Sequence, residues 1–426
     1  MPSMELMSNQ ELIALKAELV AQYEEIKAKN LKLDMSRGKP GADQLDLSMD
    51  MLSGPKVYKA NDGFDCRNYG LLDGIVDIKK IFSEMLEVSE DELFIGGNSS
   101  LNIMYDMISQ AYTHGVVNSE RPWGKYDEVV FLCPSPGYDR HFAICEFFNI
   151  RMIPVKMTEK GPDMNEVERL VASDEKIKGI WCVPKYSNPQ GITYSDETVK
   201  RFAALKPKAK DFRIFWDNAY CVHDLGDCAD NLLNILDECK KQNNDDMVYI
   251  FSSTSKISFP GAGVAAIAAS KANIANIKKR YSFETIGFDK INQIRHAEYF
   301  KNFDGIKAHM KKHAAIIKPK FDVVINNLKN EVKPYDIVSY TVPNGGYFIS
   351  VDTPDGCAKR VVALCKEAGV VLTPAGATYP YGKDPFDKNI RIAPTYPPIH
   401  ELEEAMKVFC ISIKLASAEK VLADRA

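Results

Sequence analysis

Between residues 128 and 270 short, continuous apolar runs alternate with segments of helical spacing, and this alternation restricts the fold more than any other feature. The runs are EVVFLC, IRMIPV, IKGIWCV, FRIFWD, MVYIF and GVAAIAAS. Between them, residues 139–148, 163–173, 195–205 and 230–241 carry apolar side chains at helical spacing. A strand with one wet face alternates apolar and polar residues, whereas a continuous run needs cover on both faces. The pattern therefore predicts an α/β fold with a mostly parallel central sheet wrapped by helices.

At 426 residues the chain is too long for one simple core. A large domain is expected over 51–300 and a smaller α+β domain over 301–426, with residues 1–50 forming a helix and arm that join the smaller one. The first helix is expected from Ser8, where S-N-Q-E makes a capping box with Glu11, to about Asn30. LDMSRGKPGADQLDLS then breaks helical spacing with two glycines and a proline and reads as a connector. Helices are predicted for GIVDIKKIFSEMLEV, from Ser99 to about His114, and over 271–282 and 287–329. The tail offers strands at IVSYTV, GGYFISV, VVL and NIRIA, a helix over 355–368 and a last helix from about Pro398.

A net charge of -4 gives no reason to expect nucleic acid or anionic lipid as a partner. No stretch approaches the apolar length that spans a bilayer, and the N-terminus lacks the apolar core of a signal peptide. The ten cysteines include no C-x-x-C and fall in apolar or helical stretches, as free thiols in a reducing, cytoplasmic setting would. Seven scattered histidines show no metal-ligand spacing, so no metal is expected.

Ligands of open α/β sheets bind beyond the carboxyl ends of the strands. FLC is followed there by PSPGYDRHF, WCV by PKYSNPQG, IFW by DNAYCVHD and YIF by SSTSK, presenting Tyr138, Asn188, Asp217 with Tyr220, and Lys256. FIGGNSSLN adds Ser99 and Ser100 at a helix start. Taken singly, Asn188 reads as a turn residue before Pro189, Tyr220 as a core aromatic and Lys256 as a solvated side chain. Asp217 is different, because an acid ending an apolar run is costly unless it is paired or used. Together the set describes one chemistry. A Ser/Gly-rich helix start suits phosphate, a lysine forms a Schiff base with an aldehyde, and a buried carboxylate holds a pyridine nitrogen protonated. Two tyrosines and an asparagine can stack on the ring and bond its phenolic oxygen. Those parts match pyridoxal 5′-phosphate.

With these residues the sequence resembles the fold-type I, class I aminotransferases over nearly its whole length. The resemblance rests on YGLLDG (69–74), GGNSSLN (96–102), PSPGY (134–138), SNPQG (187–191), DNAY (217–220), SSTSK (252–256) and NIRIAP (389–394). SNPQG stands where the family has N-P-T-G. RGKPG, TSKISFPGAG and TIGFDKINQIRH look most like a bacterial aspartate-type subgroup.

The resemblance implies that Lys256 carries the cofactor and moves the substrate's α-proton, while Asp217 pairs with the ring nitrogen. It gives Tyr220 and Asn188 the ring oxygen, Tyr138 the ring face, and Ser99, Ser100 and Ser253 the phosphate. Tyr69 would reach the phosphate from the other subunit of a homodimer, and Arg391 would take the substrate α-carboxylate. One departure stands out: the family's phosphate-gripping arginine, some eight residues after the lysine, is replaced by Gly263. Lys290, acting across the dimer interface, is the substitute cation to consider, and a helix-surface lysine is its plainer reading. For the distal carboxylate of a dicarboxylic substrate Arg37 is expected first and Lys39 second; if neither serves, an alanine-type enzyme follows.

The function expected is thus amino-group transfer between aspartate or glutamate and a 2-oxo acid by ping-pong half-reactions. A β-lyase or decarboxylase on the same scaffold is the alternative. A non-catalytic ligand-sensing domain is expected less, because only about fifty residues precede the α/β unit and no winged helix is among them. GAGVAA as a dinucleotide fingerprint fails, since Lys256 and four more residues separate it from the strand IFSSTS.

Overall fold

The computed structural model describes residues 3–226 and 228–426. Its centre is a sheet of eight strands: β1 (Leu93–Ile95), β2 (Val130–Ser135), β3 (Arg151–Thr158), β4 (Gly161–Pro162), β5 (Ile177–Cys182), β6 (Arg213–Asp217), β7 (Val248–Ser253) and β8 (Ala265–Ala269). Their order across the sheet is β1-β8-β7-β6-β5-β2-β3-β4. The run from β7 through β6, β5 and β2 to β3 is parallel. β8 is antiparallel to both its neighbours, so the mostly parallel reading holds with one reversed strand inside it.

Continuous apolar runs became strands buried along their whole length: β2, β5, β6, β7 and β8 have no exposed residue. β3 lies nearer the edge and alternates buried with exposed positions. Close packing at the centre requires Gly179 on β5, where an added Cβ would stand 2.4 Å from the Phe131 ring. One face of the sheet packs Phe131, Trp181, Phe215 and Phe251 against the helix Ser100–His114. The other face packs Leu132, Ile180, Ile214 and Ile250 against Val76–Leu86 and Asp196–Ala203.

A second apolar cluster joins the two ends of the chain. Helix Asn9–Lys27, with the expected Ser8–Glu11 capping box, sends the Tyr23 hydroxyl to the carbonyl of Leu364 at 2.9 Å. Leu33–Asp34 pairs in parallel with Val370–Val371. A three-stranded antiparallel sheet, Ser339–Tyr340, Ile349–Asp352 and Asn389–Ile392, lies against helix Ile399–Asp424.

Two expectations need correction. The helix read over 287–329 is two helices, Lys290–Phe300 and Phe303–Asn327, broken where Lys301 adopts φ 67° and Asn302 caps the second by accepting from Gly305 N at 2.9 Å. The cysteines are also less uniform than their contexts suggest, because Cys228 is exposed and Cys221 half-buried while the other eight are buried. No helix among the described residues is long and apolar enough to cross a membrane.

Candidate active site

Parallel neighbours end together, so β2, β5, β6 and β7 deliver their last residues to one edge of the sheet. There a cavity of about 110 Å³ is lined by Ser99, Ser100, Tyr138, Asn188, Asp217, Tyr220, Ser253, Ser255 and Lys256, among others. Two larger hollows of about 580 Å³ lie elsewhere, one below the opposite strand ends at Asn118, Lys206 and Arg213, the other along helix Phe303–Asn327. Neither collects the strand-end polar residues.

Asp217 closes β6 and is 3% exposed. Its Oδ2 accepts from His141 Nε2 at 3.0 Å, and its buried Oδ1 has no partner. A buried carboxylate oxygen without a donor is costly, so Asp217 holds one acceptor in reserve at the cavity. His141 lies in the first turn of helix Asp139–Phe147 and stacks on Trp181 with centroids 4.4 Å apart. Sequence reading missed it. The only cue was a histidine three residues after Tyr138, one turn beyond a strand end.

Lys256 follows β7 and places its Nζ 5.0 Å from the centre of the Tyr220 ring. Burial pushes its ammonium below the ordinary lysine range, and Asp217 partly opposes that shift. Burial also drives the Tyr138 and Tyr220 phenols up, helped by Asp217. Both stay protonated as hydrogen-bond donors. Behind the lysine, Tyr347 donates to the Lys256 carbonyl at 3.4 Å and accepts from Gln44 at 2.9 Å.

The serines form a cradle at the start of helix Ser100–His114, whose N-cap is Ser99. Ser253 Oγ lies 3.1 Å from Ser255 Oγ, and Ser255 reaches back to the Asn98 carbonyl at 3.4 Å. Free N–H groups and hydroxyls converging at a helix N-terminus favour an anion. Gly263 borders this cradle, and a Cβ there would meet the Asn98 carbonyl at 2.8 Å. No arginine side chain can start from that position without moving the cradle. Instead Asn292 donates to the carbonyls of Gly263 at 2.8 Å and Ala262 at 3.0 Å, and Arg295 donates to the Asn292 side chain.

Arg391 sits on Asn389–Ile392 and is 6% exposed. Its Nη1 donates to Asp139 Oδ1 at 2.8 Å and to Asn188 Oδ1 at 3.1 Å, and its Nη2 donates to Thr373 Oγ1 at 3.3 Å. Nε is buried without a partner. Phe348 lies 5.0 Å beneath the guanidinium, and the backbone of Gly38 presses on the same ring. Arg37 and Lys39 stand on either side of Gly38 in the chain, both exposed; Lys39 Nζ stands 3.8 Å above the Tyr396 ring.

Of the expected site residues, Arg391, Arg37, Lys39, Tyr69 and Lys290 do not line this cavity, although Arg391 bonds Asn188 at its wall. Tyr69 is 80% exposed. Lys290 is buried at the start of its helix and turns its Nζ back to the Phe288 carbonyl at 3.3 Å, so it is no cation of this cradle. The segments of the two residues touch: a Cβ at Gly287 would lie 2.6 Å from the Gly70 carbonyl.

The family model for aspartate amino-transferase matches residues 7–425. An aspartate aminotransferase of Corynebacterium glutamicum is 45% identical over 404 residues, covering 94% of this chain and 93% of its own. A solved aspartate transaminase structure from Corynebacterium glutamicum superimposes with a TM-score of 0.96 at 44% identity, covering 98% of this chain and 99% of that one. The α-aminoadipate aminotransferase LysN of Thermus thermophilus, solved with N-(5′-phosphopyridoxyl)-L-leucine, shares the fold at a TM-score of 0.72 and 18% identity over 93% of this chain and 94% of its own. The chain belongs to the aspartate aminotransferase family of fold-type I aminotransferases and is an enzyme of the transaminase type.

Proposed function

We propose that the enzyme uses pyridoxal 5′-phosphate to exchange an amino group between aspartate or glutamate and a 2-oxo acid. The observation that carries the cofactor is the unpartnered Asp217 Oδ1 lining the same cavity as a lysine whose ammonium burial disfavours. An acceptor awaiting a ring N–H, an amine whose charged form burial disfavours and a serine cradle fit the three ends of that molecule. When bound, pyridoxal 5′-phosphate supplies an aldehyde that captures amines and a ring that withdraws electrons from the α-carbon.

In this reading Lys256 Nζ would hold the group between turnovers and, as a free amine once substrate is bound, would act as the base toward the substrate's α-proton. Asp217 Oδ1 accepts from the ring nitrogen, and His141 fixes the carboxylate's direction. Tyr220 and Asn188 donate to the ring oxygen, and Tyr138 covers the ring face. Ser99, Ser100, Ser253 and Ser255 bind the phosphate with the helix N-terminus. Arg391 takes the α-carboxylate. Arg37, beside the Gly38–Phe348 contact and less engaged than Lys39, takes the distal carboxylate. Aspartate as donor is further supported by the aspartate aminotransferase named at 45% identity. A homodimer, with exposed Tyr69 and the adjoining Lys290 segment serving the partner's site, completes the proposal. Eight buried free thiols favour a cytoplasmic setting.

An absorbance titration with a panel of amino acids tests it. Aspartate should convert the visible cofactor band to the amine form, and 2-oxoglutarate should restore it. Pyruvate and ammonia as products would instead establish a β-lyase. Absence of a visible band, with no change on Lys256→Ala, would remove the cofactor from the account.

A further inference from the structure

The guanidinium of Arg391 already holds a carboxylate. Asp139 Oδ1 lies 2.8 Å from Nη1, and that nitrogen's other hydrogen goes to Asn188 Oδ1 at 3.1 Å, while Nη2 gives one hydrogen to Thr373 at 3.3 Å. Three of five N–H donors are thus committed, and the end formed by Nη1 and Nη2 is taken. What remains is Nε–H, buried and unpartnered, with one hydrogen of Nη2. The two partners differ in freedom: the arginine side chain is 6% exposed, the aspartate side chain 35%. They also come from different parts of the fold, Asp139 from the first turn of the helix after β2 and Arg391 from the small antiparallel sheet.

A buried guanidinium without a counter-charge is strongly disfavoured, so an empty carboxylate site needs an anion of its own. An aspartate one-third open to water can give up that contact by rotating outward, which a fully buried one cannot. We propose that Asp139 is the placeholder anion of the carboxylate site: it pairs with Arg391 in the unliganded enzyme and is displaced by, or repels, the incoming substrate carboxylate. The residue sets affinity for both the amino acid and the oxo acid, weakening each in exchange for a site that is never left unpaired. This inference rests on Arg391 being the α-carboxylate residue.

The test uses the cofactor-loaded enzyme with Asp139→Asn, Asp139→Ala and Arg391→Ala, checked for folding by circular dichroism. Succinate, an unreactive dicarboxylate, serves as competitive inhibitor, and propylamine, which lacks a carboxylate, as a slow half-reaction substrate. Both Asp139 variants should bind succinate at least about five-fold more tightly and lower KM for aspartate and 2-oxoglutarate, the sign expected when a like charge leaves a partly buried site. The gain for carboxylates should exceed any change for propylamine by that same factor. Succinate affinity unchanged or weakened in both folded variants would overturn the inference. If Arg391→Ala weakens succinate while the Asp139 variants do not tighten it, only the placeholder role fails. If Arg391→Ala leaves succinate binding at the wild-type level, the carboxylate role of Arg391 fails and the placeholder role with it.

Discussion

His141 donates its Nε2–H to Asp217 Oδ2 over 3.0 Å, with its ring laid flat on Trp181. The pair leaves Asp217 one free oxygen and one orientation. His141→Asn shortens the side chain and loses both the contact and the stacking. A hydrogen bond to a charged group contributes about 1.5–3 kcal/mol, so kcat and cofactor affinity should each fall about ten- to hundred-fold. Steady-state rates and a cofactor titration followed by absorbance check this. Wild-type cofactor affinity in the variant would show that the carboxylate orients itself.

Asp217 was legible because it ends an apolar run, where a polar group carries a desolvation cost that some function must justify, whereas Asn188 and Lys256 were legible only as members of the set that follows the strand ends. Asp139 and His141 were not. They sit in the first turn of a helix, where acidic and polar residues are ordinary, and their partners lie 252 and 76 residues away in the chain. The helix break at Lys301 was hidden for a related reason. No proline marks it, and only the cap Asn302 with Gly305, whose Cβ would strike the Phe300 carbonyl, betrays the turn. Long-range pairing and close backbone approach leave no local period to read.

Gly263 keeps the anion cradle open. Its backbone is ordinary in φ, -75°, so alanine adds no strain there, only a methyl group 2.8 Å from the Asn98 carbonyl and 3.3 Å from Ser255 Oγ. Gly263→Ala should therefore displace the Asn98–Ser99 loop and weaken the cofactor by about ten-fold or more, an overpacking cost of about 1–3 kcal/mol. Inorganic phosphate protection of the cofactor-free protein against heat should fall in parallel. Unchanged affinity for both would mean that the loop yields freely.

Lys256 should be more reactive than the exposed lysines of the cofactor-free protein. Burial lowers its affinity for a proton, so near pH 8 a larger share of it is neutral than of exposed lysines. Brief acetic anhydride treatment followed by peptide mass spectrometry should find Lys256 acetylated ahead of them, and the advantage should fade as pH rises and the others lose their protons. Asp217→Asn removes the charge that opposes the shift and should carry the reactivity to lower pH. Equal labelling of Lys256 and exposed lysines would contradict the burial argument.

The histidines behind the lysine make stability depend on pH. Gln44 Nε2 donates to His313 Nδ1 at 3.1 Å, His313 Nε2 meets His309 Nε2 at 3.1 Å, and His309 Nε2 lies 3.0 Å from the Ile257 carbonyl. Burial lowers the pKa of His309 and brings those of His313 and His296 down to about 4. The unfolded chain takes up these protons near pH 6.5, the folded protein only near 4, so the unfolded state binds more protons between those values. Stability is then fully present above about 6.5 and is lost as pH falls toward 4, by on the order of 3 kcal/mol for each strongly shifted histidine. Tm measured from pH 7.5 to 5 should drop accordingly. His313→Gln keeps a polar side chain but binds no proton, and should flatten the lower part of that curve even if it lowers Tm at pH 7.5. A parallel curve for the variant would place the pH sensitivity outside this network.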